Sequence, residues 1–207
     1  MEIYKINLKS GKNSNLFVVQ TDKGEYVVHS DIIVKDRLAV GQLDDEKFFK
    51  SVEESDQIVA FNVATKYISS SMKTEKQIKD YLYKKEFKTK TINAVLQKMK
   101  DYNLINDSLF ATSYIRSNPS YSVNKLKQKL LGFGVKKEQL SELICDLSDE
   151  GSCKASAEKF LKNKPHSQKV KEKLIRHLLN KGFNWGDVSK VLQQYEFDAD
   201  EQDEFFD

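Results

Sequence analysis

Cysteine, proline and glycine are scarce: two, two and eight among 207 residues. With only Cys145 and Cys153, no disulfide framework or Cys-x-x-Cys metal pair can be built. The three histidines, His29, His166 and His177, have no ligand-like spacing. No metal or cofactor is expected. So little Gly and Pro favours helices over a turn-rich β architecture. No apolar stretch approaches the roughly 18 residues a bilayer span needs, and the first twenty residues lack the apolar core of a signal peptide. A cytoplasmic protein without membrane contact is therefore expected. Nucleophile motifs, Gly-rich phosphate loops and His-Glu-x-x-His patterns are also missing, which points away from an enzyme.

What is present is charge, unevenly placed. The formal net charge is +3, but residues 1–72 carry 9 Lys/Arg against 11 Asp/Glu, residues 73–192 carry 25 against 13, and residues 193–207 carry none against 7. A basic body thus precedes an acidic tail, an asymmetry that suits a polyanionic partner or an internal electrostatic brake. The body's charge comprises 23 Lys and only 2 Arg. Lysine is a compact point charge without the planar fork that reads guanine edges, so contact with a backbone or a protein surface is favoured over base readout.

The opening residues read as β structure: Ile3, Tyr4, Ile6 and Leu8, then Leu16–Val19 joined to Tyr26–Val28 through Asp22-Lys23-Gly24. Ile32–Val34 and Leu38–Val40 suggest a further short strand, and two helices follow over 44–54 and 56–71. From residue 74 apolar positions recur every 48 residues: Ile78, Leu126, Leu174; Leu82, Leu130, Leu178; Phe87, Val135, Phe183; Ile92, Leu140, Val188; Val95, Leu143, Val191; Leu96, Ile144, Leu192. Gly134 and Gly182 align at the turn between the first two helices of a copy, where the first copy has Glu86. A third helix is predicted in copies one and two, N-capped by Asp107 and Ser152, with Pro119 and Pro165 before the next copy.

The predicted organisation is an N-terminal β element over 1–42, linking helices over 43–72, repeats over 73–120 and 121–166, a truncated repeat over 167–195, and an acidic tail over 196–207. The fold class is mainly α: tandem three-helix repeats of period 48 forming an elongated curved rod, with a small N-terminal β-hairpin or sheet. Single units have too little core to stand alone and are expected to stack.

Individual residues of chemical interest read mostly as structural. Asp44-Asp45-Glu46 complements a helix dipole, Cys145 packs on a helix, His177 sits on a partly buried face, and Trp185 either anchors a contact or, the favoured reading, closes the end of the rod. Of Tyr81, Tyr83, Tyr102, Tyr114 and Tyr121, at least three are expected at the core or its boundary rather than free to stack on bases. The candidate partner-binding residues are Lys76, Lys79, Lys88, Lys125, Lys127, Lys129, Lys136, Lys137, Lys169, Lys173 and Arg176. Lys79 aligns with Lys127 and Lys88 with Lys136, so part of the charge recurs at the repeat period.

Thr74-Glu-Lys-Gln-Ile78-Lys-Asp-Tyr-Leu82 with Phe87, followed by Leu104-Ile-Asn-Asp107-Ser-Leu-Phe110-Ala111, resembles the first repeat of the RecX family of bacterial recombination regulators. Ser122-Val-Asn-Lys-Leu126 through Gly134-Val135 and Lys173-Leu174 through Gly182-Phe183 are similar to its second and third. The sequence departs from the family pattern at Thr74 (usually Ser), Glu86 (usually Gly) and Asn106-Asp107 (usually paired acids). The resemblance covers roughly residues 60–195. It implies a non-enzymatic modulator, expected as a monomer. Such a modulator lies along the groove of the RecA filament on single-stranded DNA, with that DNA as a candidate direct contact, and limits recombinase, ATPase and coprotease activity. Two other readings stand beside it: a free-standing helix-turn-helix-like DNA-binding protein, and a structural adaptor whose basic face is solvation. The resemblance does not account for the acidic tail, which is expected to fold back on the basic body or compete with the filament for it.

Overall fold

The structure is a computed structural model that describes residues 1–11 and 15–198; residues 199–207, most of the acidic tail, lie outside the described residues. The chain divides into two compact units, Met1–Asn106 and the part from Asp107 onward.

In the first unit, strands β1 (Glu2–Leu8), β2 (Leu16–Thr21), β3 (Gly24–His29) and β4 (Gly41–Gln42) form an antiparallel sheet in the order β3-β2-β1-β4. The predicted hairpin joins β2 to β3, with Thr21 paired to Gly24 across the turn and Thr21 Oγ1 donating to the Gly24 carbonyl at 2.9 Å. Ile3, Val19 and Val28 project from one face into a core with Phe48, and Tyr26 meets Phe48 edge-on at 5.2 Å. Ile32–Val34, read as a strand from its β-branched residues, instead lies in helix α1 (Ser30–Lys35), which starts at a His29 N-cap; the added strand is the two-residue β4.

The two linking helices are one. Helix α2 (Asp45–Ile68) runs through the polar Glu53–Asp56 stretch that reads as a break. Ser55 there is fully buried and its Oγ accepts from the His29 backbone N–H at 2.7 Å, so a polar residue is retained mid-helix to satisfy the strand end. Asp44 caps α2 by accepting from the Lys47 N–H at 2.9 Å. Asp45 bonds to Lys23, whose hydrogen bond holds the carboxyl below its ordinary range. The acidic cluster is a helix start, as the sequence suggests.

Eight shorter helices follow among the described residues: α3 (Glu75–Lys84), α4 (Thr89–Asp101), α5 (Asp107–Ser117), α6 (Val123–Phe133), α7 (Lys137–Ile144), α8 (Asp149–Leu161), α9 (Gln168–Asn180) and α10 (Trp185–Leu192). Their cores show that the repeat is three helices long but begins one helix earlier than its period-48 positions suggest. Ala60 and Ala64 of α2 pack with Ile78, Leu82, Ile92, Val95, Leu96 and Met99 of α3 and α4. Ala111 of α5 packs with Leu130 of α6, Val135 of the following turn and Leu140 of α7. Cys153, Ala157 and Leu161 of α8 pack with Leu174 and Leu178 of α9, Phe183 of the following turn, and Val188 and Val191 of α10. The third module therefore has all three helices and is not truncated. The predicted boundaries at 73, 121 and 167 cut each module between its first and second helix. Two further corrections concern helix starts. Ser148, not Ser152, caps α8, accepting from the Glu150 N–H at 3.3 Å, and α5 already includes Asp107.

Each module turns between its second and third helices in the same way. The N–H groups of Phe87, Val135 and Phe183 donate back to the carbonyls of Leu82, Leu130 and Leu178, and those of Glu86, Gly134 and Gly182 to Tyr83, Leu131 and Leu179. This pair of reversed bonds is the Schellman closure, and it demands a left-handed residue at the second position. Gly134 and Gly182 adopt φ 95° and 90°, and Glu86 is held at φ 64° in the same place. The departure at Glu86 thus keeps the turn at a strain cost. Glu86→Gly is expected to stabilise the chain by roughly 0.5 kcal/mol, the left-handed penalty of about 1–2 kcal/mol less the added entropy of an unfolded Gly. Thermal unfolding monitored by circular dichroism reads it; an unchanged or lower midpoint would show Glu86 to be unstrained. Thr74 likewise serves in place of Ser: its Oγ1 accepts from the Gln77 N–H at 3.2 Å while Gln77 Oε1 accepts from the Thr74 N–H at 3.0 Å.

Within the second unit, the second and third modules touch at their turns. The Ser122 N–H donates to the Lys181 carbonyl at 3.1 Å, Lys181 Nζ donates to Ser120 Oγ at 3.1 Å, and the Val123 N–H donates to Asp149 Oδ1 at 2.7 Å. Gly182 lies against Ser122 and Lys125 so closely that a Cβ there would meet Ser122 Oγ at 2.6 Å and Lys125 Cβ at 2.8 Å.

Candidate interaction surface

Lysines of the basic body fall into two groups. One group is used by the fold. Lys90 pairs with Glu53 and Lys100 with Glu75, each at 2.7 Å. Lys73, Lys85, Lys98, Lys164, Lys171 and Lys181 lie over aromatic rings, Lys164 at 3.3 Å from the Phe160 centroid and Lys181 at 4.7 Å from that of Tyr121. The other group stands outside such contacts. Among the described residues, Lys79, Lys88, Lys127, Lys129, Lys136, Lys137, Lys169, Lys173 and Arg176 form neither a salt bridge nor a ring contact. Lys79 and Lys127 are half-buried and the other seven are exposed. All nine are among the candidates read from the sequence, and Lys84, Lys154, Lys159, Lys162 and Lys190 share the property, so it does not by itself single the candidates out.

The structure sets the candidates on three kinds of position. Lys76, Lys79, Lys127 and Lys129 ride the second helix of the first and second modules, and Lys169, Lys173 and Arg176 ride that of the third. Lys88 and Lys136 are the N-cap residues of α4 and α7, with extended backbone and no side-chain capping bond, while Lys137 follows on the first turn of α7. A cation there opposes the helix dipole, so local stability does not select it. The third module has Asn184 at that place, whose Oδ1 accepts from the Asp187 N–H at 2.9 Å. Lys125 differs from the rest: half-buried, it backs onto Gly182 and belongs to the contact between modules.

The aromatics divide as expected. Tyr81 stacks on Tyr67 at 4.0 Å, and Tyr114 and Tyr121 are half-buried, while Tyr83 and Tyr102 are exposed. Trp185 is corrected: it is 60% exposed at the start of α10 and closes nothing, because Phe183 fills the core position at that turn. Cys145 is also corrected. It is exposed at the end of α7, whereas the fully buried cysteine is Cys153, whose thiol burial pushes up to about 11, with Asp187 and Asp149 adding to the effect. A thiol so raised is protonated at neutral pH and is packing material. Among the described residues no group of three or more His, Cys, Asp or Glu is placed to hold a metal ion, and no helix is long and apolar enough to cross a membrane.

His177 is structural. Its ring lies 4.8 Å from that of Phe160, and Nε2 is 3.4 Å from Ser156 Oγ. Burial, then Lys181 and Lys164, lower its pKa from 6.5. A depressed imidazole contributes stability that is present above the unfolded value and is lost as pH falls through it toward the lowered folded value. The melting midpoint is expected to drop on acidification below about pH 6.5, and His177→Gln to flatten that part of the profile. An identical slope in the variant would remove His177 as its cause.

Family models for the RecX first three-helix domain and third three-helix domain match residues 60–99 and 149–192. The regulatory protein RecX of Clostridium tetani is 30% identical over 199 residues, covering 92% of this chain and 91% of that protein. This chain belongs to the RecX family. The regulatory protein RecX of Streptococcus thermophilus is likewise 30% identical, over 99% of this chain and 81% of that one. Among solved structures, a crystal structure of regulatory protein RecX superimposes with a TM-score of 0.62 at 21% identity, covering 92% of this chain and 98% of the other. RecX from Lactobacillus salivarius gives 0.56 at 24% identity over 67% and 96%. At these identities the two structures speak for the RecX fold alone. The matched spans begin in α2 and α8, in step with the cores and one helix ahead of the period-48 positions. The relatives' shared name makes this chain a RecX-type regulator.

Proposed function

We propose that the chain is a non-catalytic modulator of RecA that binds along the RecA–single-stranded DNA filament and limits its ATPase, strand-exchange and coprotease activities, so regulating DNA repair and recombination. The observation that carries this reading is repetition: the first and second modules, with the same core and turn, present lysines that form no salt bridge with a described residue at equivalent places, Lys79 with Lys127 and Lys88 with Lys136. A helical polymer offers equivalent sites at regular intervals. Several weak contacts made by one chain then combine through high effective concentration into tight binding. Inhibition follows when the bound chain favours one filament state or blocks subunit addition.

A free-standing DNA-binding protein is the second reading, favoured by the cations beside the α4 and α7 N-termini, where phosphate is readily held. Binding to bare and to RecA-coated single-stranded DNA across a salt series separates the two. The modulator is expected to prefer the coated form at every salt concentration. A protein that gains nothing from RecA and loses affinity steeply with salt is a DNA binder instead.

A further inference from the structure

The chain beyond α10 does not leave the molecule at once. Tyr195 and Phe197 pack on the third module's core, and the Asp198 N–H donates to the His166 carbonyl at 2.8 Å. Asp198 pairs with Ser167, the N-cap of α9, in a parallel bridge. The His166 ring lies 5.6 Å from that of Phe197, and Lys171 Nζ lies 5.6 Å from the centre of the same ring. This strap fixes where residues 199–207 depart: at the N-terminal end of α9.

What departs there is complementary to what lies beside it. Residues 199–207 contain Asp200, Glu201, Asp203, Glu204 and Asp207 and no base. Helix α9 carries Lys169, Lys173 and Arg176 at i, i+4 and i+7, one exposed stripe opposite the buried Leu174 and Leu178, with Glu172 the one acid of the helix. Lys162 and the ring-bound Lys164 precede it. Nine extended residues reach about 30 Å, whereas thirteen helical residues span about 20 Å, so the segment can round the end of α9 and cover its length. It also ends in Phe205-Phe206 and Asp207, and a segment that combines regular negative charge with stackable rings imitates single-stranded nucleic acid.

We propose that residues 199–207 are an intramolecular ligand of the α9 cationic stripe and compete there with single-stranded nucleic acid. The proposal rests on reading that stripe as an anion-binding surface, and it deepens the functional reading by giving that surface an internal occupant. A segment on so short a tether acts at an effective concentration on the order of millimolar, so even a weak contact masks the stripe roughly tenfold.

The cut belongs after Asp198, since removal of Phe197 and Asp198 would take away core and strap. Three proteins are compared: the full chain, the chain ending at Asp198, and a full-length variant with Asp200→Asn, Glu201→Gln, Asp203→Asn, Glu204→Gln and Asp207→Asn. Amide resonances of Lys169, Lys173 and Arg176 are expected to shift between the full chain and both altered forms, and a synthetic peptide of residues 199–207 added to the shortened chain should restore them. Affinity for a labelled oligothymidylate should rise about tenfold in both altered forms at low salt, and the gain should vanish at about 1 M salt, where the Debye length is only about 3 Å. Unmoved α9 resonances, or shifts centred on another element, would overturn the proposal, as would equal oligothymidylate affinity at low salt. None of these measurements contains RecA, so their failure leaves the filament reading standing, and a failure of that reading leaves them interpretable.

Discussion

Gly182→Ala is expected to destabilise the unit that begins at Asp107 by about 2–5 kcal/mol, the largest single-residue effect among the glycines. Two costs combine. The residue sits at φ 90°, where an L side chain pays roughly 1–2 kcal/mol. The new Cβ would also stand 2.6 Å from Ser122 Oγ and 2.8 Å from Lys125 Cβ, an overlap that forces a backbone shift costing typically about 1–3 kcal/mol. Lys125 cannot swing aside, because the colliding atom is its own Cβ and its Cα is only 3.5 Å from the new atom. The companion change Gly132→Ala reverses the sign. Gly132 lies inside α6 with nothing within 4 Å of its would-be Cβ, so alanine is expected to stabilise by about 1 kcal/mol. Chemical denaturation of the two variants reads both effects. A loss at Gly182 no larger than the roughly 1–2 kcal/mol of its left-handed backbone would mean that the second and third modules are not in contact there.

The second large effect is functional. Replacing Lys79, Lys88, Lys127 and Lys136 together by Gln is expected to weaken binding to RecA-coated DNA on the order of a hundredfold at low salt, roughly threefold for each surface charge. The melting midpoint should barely move, since none of the four forms a salt bridge or ring contact with a described residue and neither N-cap lysine caps with its side chain. The binding measured against salt should also become shallower. Replacing Lys73, Lys85, Lys98 and Lys181 instead should do the opposite, lowering stability through lost ring contacts while leaving the salt dependence nearly intact. A quartet variant that binds as well as the parent would move the interface elsewhere on the chain.

The second and third helices of each module are legible in the sequence because their contributions to the core are large side chains. Ile78, Leu82, Ile92, Leu130, Leu140, Leu174, Leu178 and Val188 are all fully buried at the positions the period marks. The first helix of each module is expected as a helix but falls outside the 48-residue period for the converse reason. Apart from Leu161 at the end of α8, its buried core residues are Ala60 and Ala64, Ala111, and Cys153 and Ala157, small residues that let helices approach closely but add little to a hydropathy pattern. The links from first to second helix also differ in length, so a fixed period slides off these positions and returns a repeat one helix out of phase. A search for small residues preceding each Leu pair, with a gap allowed, finds Ala64, Ala111 and Ala157.

Polarity misleads at α2 for a related reason. Ser55 and Asp56 look like a helix boundary, yet a single helix there serves two cores, Phe48 under the sheet and Ala60 and Ala64 in the first module. At the surface, composition reveals the cationic character but cannot sort it. Whether a lysine stands free of the fold or lies over a ring depends on which tyrosine or phenylalanine comes near in space, as Lys181 over Tyr121 shows across sixty residues of chain. The two N-cap lysines are visible as an alignment, and only the helix starts give them a place.

The most direct test is RecA's ATP turnover on single-stranded DNA while this chain is titrated in below the RecA concentration. A modulator that spans several protomers is expected to depress turnover at well under one chain per RecA, with the Lys79, Lys88, Lys127 and Lys136 variant requiring far more protein for the same effect. Turnover that stays constant up to equimolar chain, with filaments fully formed, would contradict regulation through the filament.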